Sequence, residues 1–161
     1  ANRSSEETIQ SFGIEREFAQ VVAGLSPVQV ERLSSGVMAS FLPIFDETTF
    51  FELLAEPYDP LSLLTQGSRR QFEAHFWLLV GIGARTSLDT ATLRYGISHR
   101  VAKAAGTVSI KQLTQVGSQL GTSFRLRYAS SIIEEVANAS PRLALTKRMA
   151  YAMTRSTALP G

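Results

Sequence analysis

A chain of 161 residues, 44% apolar and 19% charged, has the length of one ordinary domain with an appended element and enough apolar residues for a sizeable core, which excludes a disordered polymer. It has no cysteine, which excludes disulfides, thiolate metal sites and cysteine nucleophiles and fits a reducing cytoplasm. The net charge of +2 conceals a split: residues 1–93 carry 6 Lys and Arg against 12 acids, and residues 94–161 carry 10 against two, Glu134 and Glu135. An acidic first part and a basic second part point to a polyanion partner for the second part only.

Ala1 in place of Met points to a trimmed chain, and no secretory leader pattern opens it. The polar residues 1–12 are expected to fray. From there Ile14, Phe18, Val21 and Val22 recur at helical steps until Gly24 ends the run. Ser26-Pro27 supplies an N-cap and a first-turn proline for a second helix, expected to run to about Phe41 and to be broken by Pro43. Asp46-Glu47-Thr48 opens a third, short helix with Phe50, Phe51, Leu53 and Leu54, and residues 56–60, Glu-Pro-Tyr-Asp-Pro, read as a turn. Ser68 opens a fourth helix whose Phe72, Phe76, Leu79 and Val80 are expected to face a core. Its apolar run from Phe76 to Ala84 falls short of the roughly 20 residues that a membrane span needs.

Gly81 and Gly83 begin a spacing used by dinucleotide loops, but Thr86 stands at the third glycine position, and after Asp89 the next acid is Glu134. The pair therefore reads as a place where helices approach closely. Leu88 to Tyr95 forms the next helix, stopped at Gly96. Ser98 caps a short helix with Val101, Ala102 and Ala105, and Ser109 caps another with Ile110, Leu113, Val116 and Leu120, stopped at Gly121. These two make a candidate helix-turn-helix in which Lys111, Gln112 and Gln115 would face a groove. His75 and His99 match no zinc spacing. The adjacent acids Glu6-Glu7 and Glu134-Glu135 read as solvated surface, with no acid/base pair. No enzyme activity, metal or cofactor is expected.

The period changes at Ser123-Phe124-Arg125-Leu126-Arg127-Tyr128, where polar and apolar residues alternate strictly. On a strand, Phe124, Leu126 and Tyr128 share one face and Ser123, Arg125 and Arg127 the other. A two-stranded ribbon fits the DNA major groove, and a guanidinium suits bidentate contact with guanine O6 and N7. The bland alternative is that the two arginines merely solvate a sheet edge. Two helices follow: one carries Ile132, Ile133 and Val136, and the other opens at Ser140-Pro141 and carries Leu143, Leu145, Met149 and Met153, with Lys147, Arg148 and Arg155 on other faces.

Strand, helix, turn and helix over residues 122–154 resembles the ribbon-helix-helix family of bacterial DNA-binding proteins, and the strand is similar to that of the phage Arc repressor. The resemblance implies an obligate homodimer whose paired strands read bases through Ser123, Arg125 and Arg127, with phosphate contacts from Ser140, Arg142, Lys147 and Arg148. It departs from the family in a short first helix and in Asn138-Ala139 where the family has glycine. Residues 76–128 also resemble the flagellar transcriptional activator subunit FlhD, through Leu93-Arg94-Tyr95-Gly96-Ile97 and Phe124-Arg125-Leu126-Arg127. That second resemblance implies a transcriptional activator, and relatives of this kind on mobile elements extend the implication to plasmid conjugative-transfer activators of the AcaB type.

The fold expected is mainly α: an acidic helical domain at 1–93, a helical connector at 94–121 containing the candidate helix-turn-helix, and a C-terminal ribbon-helix-helix module at 122–156 with one short strand paired across a homodimer. The function expected is sequence-specific binding of double-stranded DNA in the cytoplasm, away from any membrane, to activate transcription. The acidic part is then free for dimer contacts, RNA polymerase or another regulator. The alternative is a helical interaction subunit of a heteromeric regulator that makes no DNA contact itself.

Overall fold

The computed structural model describes residues 16–34, 39, 41–60, 68–127, 130–140, 142–143, 145–147 and 149–150. They form α1 (Arg16–Ala23), α2 (Pro27–Ser34), β1 (Phe41–Ile44), α3 (Glu47–Ala55), α4 (Ser68–Thr86), α5 (Leu88–Tyr95), α6 (His99–Thr107), α7 (Ile110–Gln119), β2 (Ser123–Leu126) and α8 (Ser130–Asn138). The described chain is mainly helical, and β1 and β2 pair in one small antiparallel sheet. Residues 142–143, 145–147 and 149–150 are also helical, and no described helix is long and apolar enough to cross a membrane.

Short polar side chains decide where five of the described helices start, and in the first of these, α2, Ser26 accepts from the Gln29 N–H at 3.3 Å. Asp46 accepts from the Thr49 N–H at 2.7 Å, and Ser87, Ser98 and Ser109 accept from the N–H groups of Thr90, Val101 and Gln112 at 3.2, 3.2 and 3.1 Å. The Thr49 N–H and the Thr49 hydroxyl together hold the Asp46 carboxyl below its ordinary pKa. Gly96 ends α5 at φ 64°, in the left-handed region where a side chain would strain the backbone. Removing the α7 cap with Ser109→Ala is expected to cost about 0.5–2 kcal/mol, and Ser109→Gly only a few tenths. Urea titration followed by circular dichroism checks both, and equal losses from the two variants would remove the cap from the account.

Residue contacts divide the chain into two compact units, Pro43–Ser123 and a discontinuous one that joins Ala1–Leu42 with Phe124–Gly161. In the first, α5, α6 and α7 pack along α4, and α3 packs on α7. Trp77 of α4 is fully buried, with its ring 4.9 Å from Phe45 and 4.8 Å from Phe50 between centroids, and its indole N–H donates to Thr122 Oγ1 at 2.9 Å. Small residues allow the helices to close in. A Cβ on Gly81 would lie 2.4 Å from Leu113 Cδ2 and 3.1 Å from the Ala105 carbonyl oxygen. Arg85 then caps the end of α6, donating to the Gly106 and Val108 carbonyls at 3.0 and 2.6 Å.

In the second unit, α1 and α2 pack on α8. Leu33 and Ile132 cover the buried Val136 and Ala139, Arg32 Nη1 donates to the Ala137 carbonyl at 3.1 Å, and Gln29 Nε2 donates to Asn138 Oδ1 at 2.9 Å.

Four sequence expectations are corrected. The helix from Pro27, described over Pro27–Ser34, does not include Phe41, which opens β1, and Pro43 lies inside β1, where a two-stranded sheet tolerates a residue without an N–H. The strand at Ser123 pairs with β1 of its own chain rather than depending on a second subunit, so a C-terminal ribbon-helix-helix module with its strand paired across a homodimer is not what these elements form. Phe72 and Leu79 of α4 are 42% and 54% exposed, because the core side is taken by Ala74, Phe76, Trp77, Val80 and Ala84. Finally, the boundary at 93/94 separates no units, since α4, before it, packs on α6 and α7 beyond it, whereas the change of unit at 123/124 lies two residues from the expected 121/122.

Candidate nucleic-acid interface

Strand β2 begins after the turn at Gly121 and carries the residues expected to read DNA. The alternation holds for its first three members. Phe124 is 2% exposed, Arg125 is exposed, and Ser123 is half-buried, its hydroxyl donating to the Ile44 carbonyl at 3.5 Å. It ends there. Arg127 lies in the bend after the strand, where period-two alternation no longer sets side-chain direction, and it is buried to 6% exposure. Arg127 therefore belongs to the packing of its unit and does not share an outward row with Arg125.

The phosphate-contact residues are distributed in the same mixed way. Ser140, after α8, and Arg142, in the helical residues beyond it, are both exposed. Lys147 forms an ion pair with Glu135 of α8, which partly neutralises both. Arg148 lies outside the residues whose side chains are described. The hydroxyl of Thr146 donates to the Arg142 carbonyl at 3.0 Å, the i to i−4 contact expected if these residues continue one helix. Of the expected DNA contacts whose side chains are described, the exposed ones are Arg125 on β2 and Ser140 and Arg142 after α8.

The candidate helix-turn-helix of α6 and α7 does not present its glutamines. Gln115 is 2% exposed, with its Nε2 donating to the Pro57 carbonyl at 3.4 Å and its Oε1 accepting the Asp59 N–H at 2.7 Å. Gln112 Nε2 donates to the Leu54 and Glu56 carbonyls at 2.6 and 3.3 Å. The two glutamines hold the backbone of residues 54–59, a job that sequence spacing could not announce because its partners lie over 50 residues away. Lys111 alone of the three is exposed. On α6, Arg100 stacks its guanidinium 4.2 Å above the Phe51 ring, a cation–π contact that no local sequence pattern signals. Gly81 and Gly83 lie where helices approach closely: a Cβ on Gly83 would sit 3.1 Å from the Tyr95 ring, so both are packing glycines. Comparison with protein-family models, curated proteins and solved structures finds no match to this chain.

Proposed function

We propose that the chain is a sequence-specific DNA-binding transcriptional regulator, acting as a homodimer and as an activator, in which the exposed side of β2 and the segments after it meet the DNA. The observation that carries the reading is the pairing of a buried Phe124 with an exposed Arg125 on one short strand. The ring anchors the strand, so the neighbouring guanidinium reaches outward from a fixed base, and a fixed guanidinium loses less entropy on forming a bidentate contact with guanine. Ser140 and Arg142 supply phosphate contacts, which position the protein without specifying sequence. Base reading thus falls to Arg125, with Ser123 beside it and Arg127 withdrawn.

Selection of bound duplexes from a random pool, with the native chain and with Arg125→Ala, tests this reading. The expected result is a motif with two-fold symmetry from the native chain, and its disappearance in a variant that keeps the native circular dichroism. One bidentate contact is worth about 1–3 kcal/mol of discrimination, enough to erase the motif. Arg142→Ala should instead weaken all duplexes alike and reduce the slope of log K against log salt by about 0.9 for each phosphate that the variant no longer neutralises. No enrichment by the native chain overturns the proposal. That outcome favours the second reading, a helical subunit of a heteromeric regulator, which draws support from the apolar side chains that α4 exposes.

A further inference from the structure

The core side of α6 is filled by Val101, Ala102 and Ala105, all fully buried. Its other side carries His99, Arg100, Lys103 and Thr107, all exposed, and at 3.6 residues per turn the four fall within one arc of about 100°. No acid interrupts that arc, and the chain has none between Asp89 and Glu134. Folding gains little from this arrangement. Arg100 stands in the first turn of α6, where the positive end of the helix dipole repels a cation, and Arg100 and Lys103 are like charges on neighbouring positions of one face. At the other end of α6, where a cation suits the dipole, Arg85 already caps the Gly106 and Val108 carbonyls. Among the described residues neither Arg100 nor Lys103 has an ion-pair partner. The Arg100 guanidinium is held over the Phe51 ring instead, which fixes its position and leaves it exposed. Charges placed against the local rules of a helix, and left without an ionic partner, mark a surface kept for a ligand.

We infer that the outer face of α6 is a second, sequence-independent DNA contact of this chain, in which Arg100 and Lys103 each neutralise a phosphate of the duplex backbone. Charge complementarity identifies the occupant, since a cationic face without acids suits a polyanion. The character of the four side chains narrows it. None of them is large and apolar, whereas a helix lying in a membrane surface needs an apolar face, and a protein interface is anchored by buried aromatic or aliphatic groups. A phosphate backbone asks only for cations and hydrogen-bond donors. Arg100, stacked on Phe51, offers a fixed fork for one phosphate. Lys103, about 5–6 Å away along the helix surface, offers a point charge for another. The inference rests on the DNA-binding reading above for its ligand. It involves no residue of β2 or of the segments after α8, and it requires no sequence preference.

Fluorescence anisotropy of a labelled duplex of random sequence, titrated with the full chain over a salt series, tests it. The double variant Arg100→Ala/Lys103→Ala is expected to reduce the slope of log K against log salt by about 1.8, or about 0.9 for each phosphate no longer neutralised. Between about 50 and 200 mM salt the native chain should therefore lose about tenfold more affinity than the variant. Lys103→Glu, at an exposed position, should weaken binding more than Lys103→Ala does. It should leave the urea midpoint unaltered or higher, because the new carboxylate stands three residues from Arg100. The motif selected from a random pool should be the same for the variants as for the native chain, since phosphate contacts carry no sequence information. Unchanged affinity and slope in the double variant overturn the inference and leave the DNA reading standing. A Lys103→Glu variant that loses binding together with a lowered urea midpoint assigns Lys103 to the fold and overturns it as well. So does a native chain that binds phosphatidylglycerol vesicles through these residues and ignores the duplex. A native chain that selects no motif, yet binds duplexes with the expected dependence on Arg100 and Lys103, supports the inference and strikes the sequence-specific reading. One that binds no duplex even at low salt overturns both.

Discussion

Replacement of Trp77 by alanine is expected to lower the unfolding free energy by about 3–5 kcal/mol, a large share of the 5–15 kcal/mol that holds a typical domain folded. Three effects coincide at this residue. The indole is fully buried, so its whole volume becomes a cavity between α4 and its neighbours. Its edge and face packing against Phe45, Phe50 and Phe76, at 4.9, 4.8 and 5.7 Å, disappears at once. The Thr122 hydroxyl, itself 0% exposed, is deprived of the donor that satisfies it at 2.9 Å. Trp77→Phe separates these causes: it keeps a ring but removes the N–H, and should cost about 1–3 kcal/mol from the unsatisfied hydroxyl plus a smaller packing term. Urea titrations of native and variant chains, followed by far-ultraviolet circular dichroism, give both numbers. A decrease below about 1 kcal/mol for Trp77→Ala would mean that the core around α4 is not organised about this ring.

Gly117→Val is expected to cost about 2–3 kcal/mol through overpacking, although valine is the better helix former. A Cβ at this position of α7 would stand 3.0 Å from Ala74 Cα, 3.0 Å from Trp77 Cβ and 3.0 Å from Trp77 Cδ1. Ala74 Cα is backbone and Trp77 is locked by its own neighbours, so relief requires the two helices to separate. The intrinsic gain from leaving glycine is at most about 0.5 kcal/mol, several times too small to compensate. Gln119→Val on the same helix makes the control, since Gln119 is exposed and its replacement should change stability by no more than about 0.5 kcal/mol. Equal effects at the two positions would refute the close-packing account.

The sequence discloses its local instructions and conceals its long-range ones. Helix starts at Asp46, Ser87, Ser98 and Ser109, the stop at Gly96 and the strand at Ser123 are all readable, because each depends on a side chain and backbone within a few residues. Strand β1 is hidden: Phe-Leu-Pro-Ile has neither alternation nor length, and only its pairing with β2, some 80 residues on, makes it a strand. The inner side of α4 is concealed for a related reason. Its buried arc is built partly from Ala74, Gly81 and Ala84, whose small size invites close packing, while larger residues such as Phe72, Leu79 and Ile82 stay outside, so apolar bulk alone points the wrong way. Among the candidate DNA contacts, Arg125 can be read from period two. The withdrawal of Arg127 cannot, because it depends on where the strand ends, and neither can the pairing of Lys147 with Glu135, because it depends on how α8 meets the residues that follow.

The joining of Ala1–Leu42 to Phe124–Gly161 also bears on the order of assembly during synthesis. The contiguous unit, Pro43–Ser123, has its whole sequence available once Ser123 has emerged, so it condenses first, although it begins second. Helices α1 and α2 are made earlier and then wait, because the helix they pack on ends at Asn138; the bond from Gln29 to Asn138 spans 109 residues. At roughly 5–20 residues per second that interval lasts several seconds, during which the apolar sides of α1 and α2 are uncovered. Prior folding of the contiguous unit shortens the effective loop between the two outer segments and reduces the entropic cost of closing it. The nascent chain is therefore most exposed to aggregation before its last helices leave the ribosome, and the rate of translation through residues 43–138 sets how long that exposure lasts.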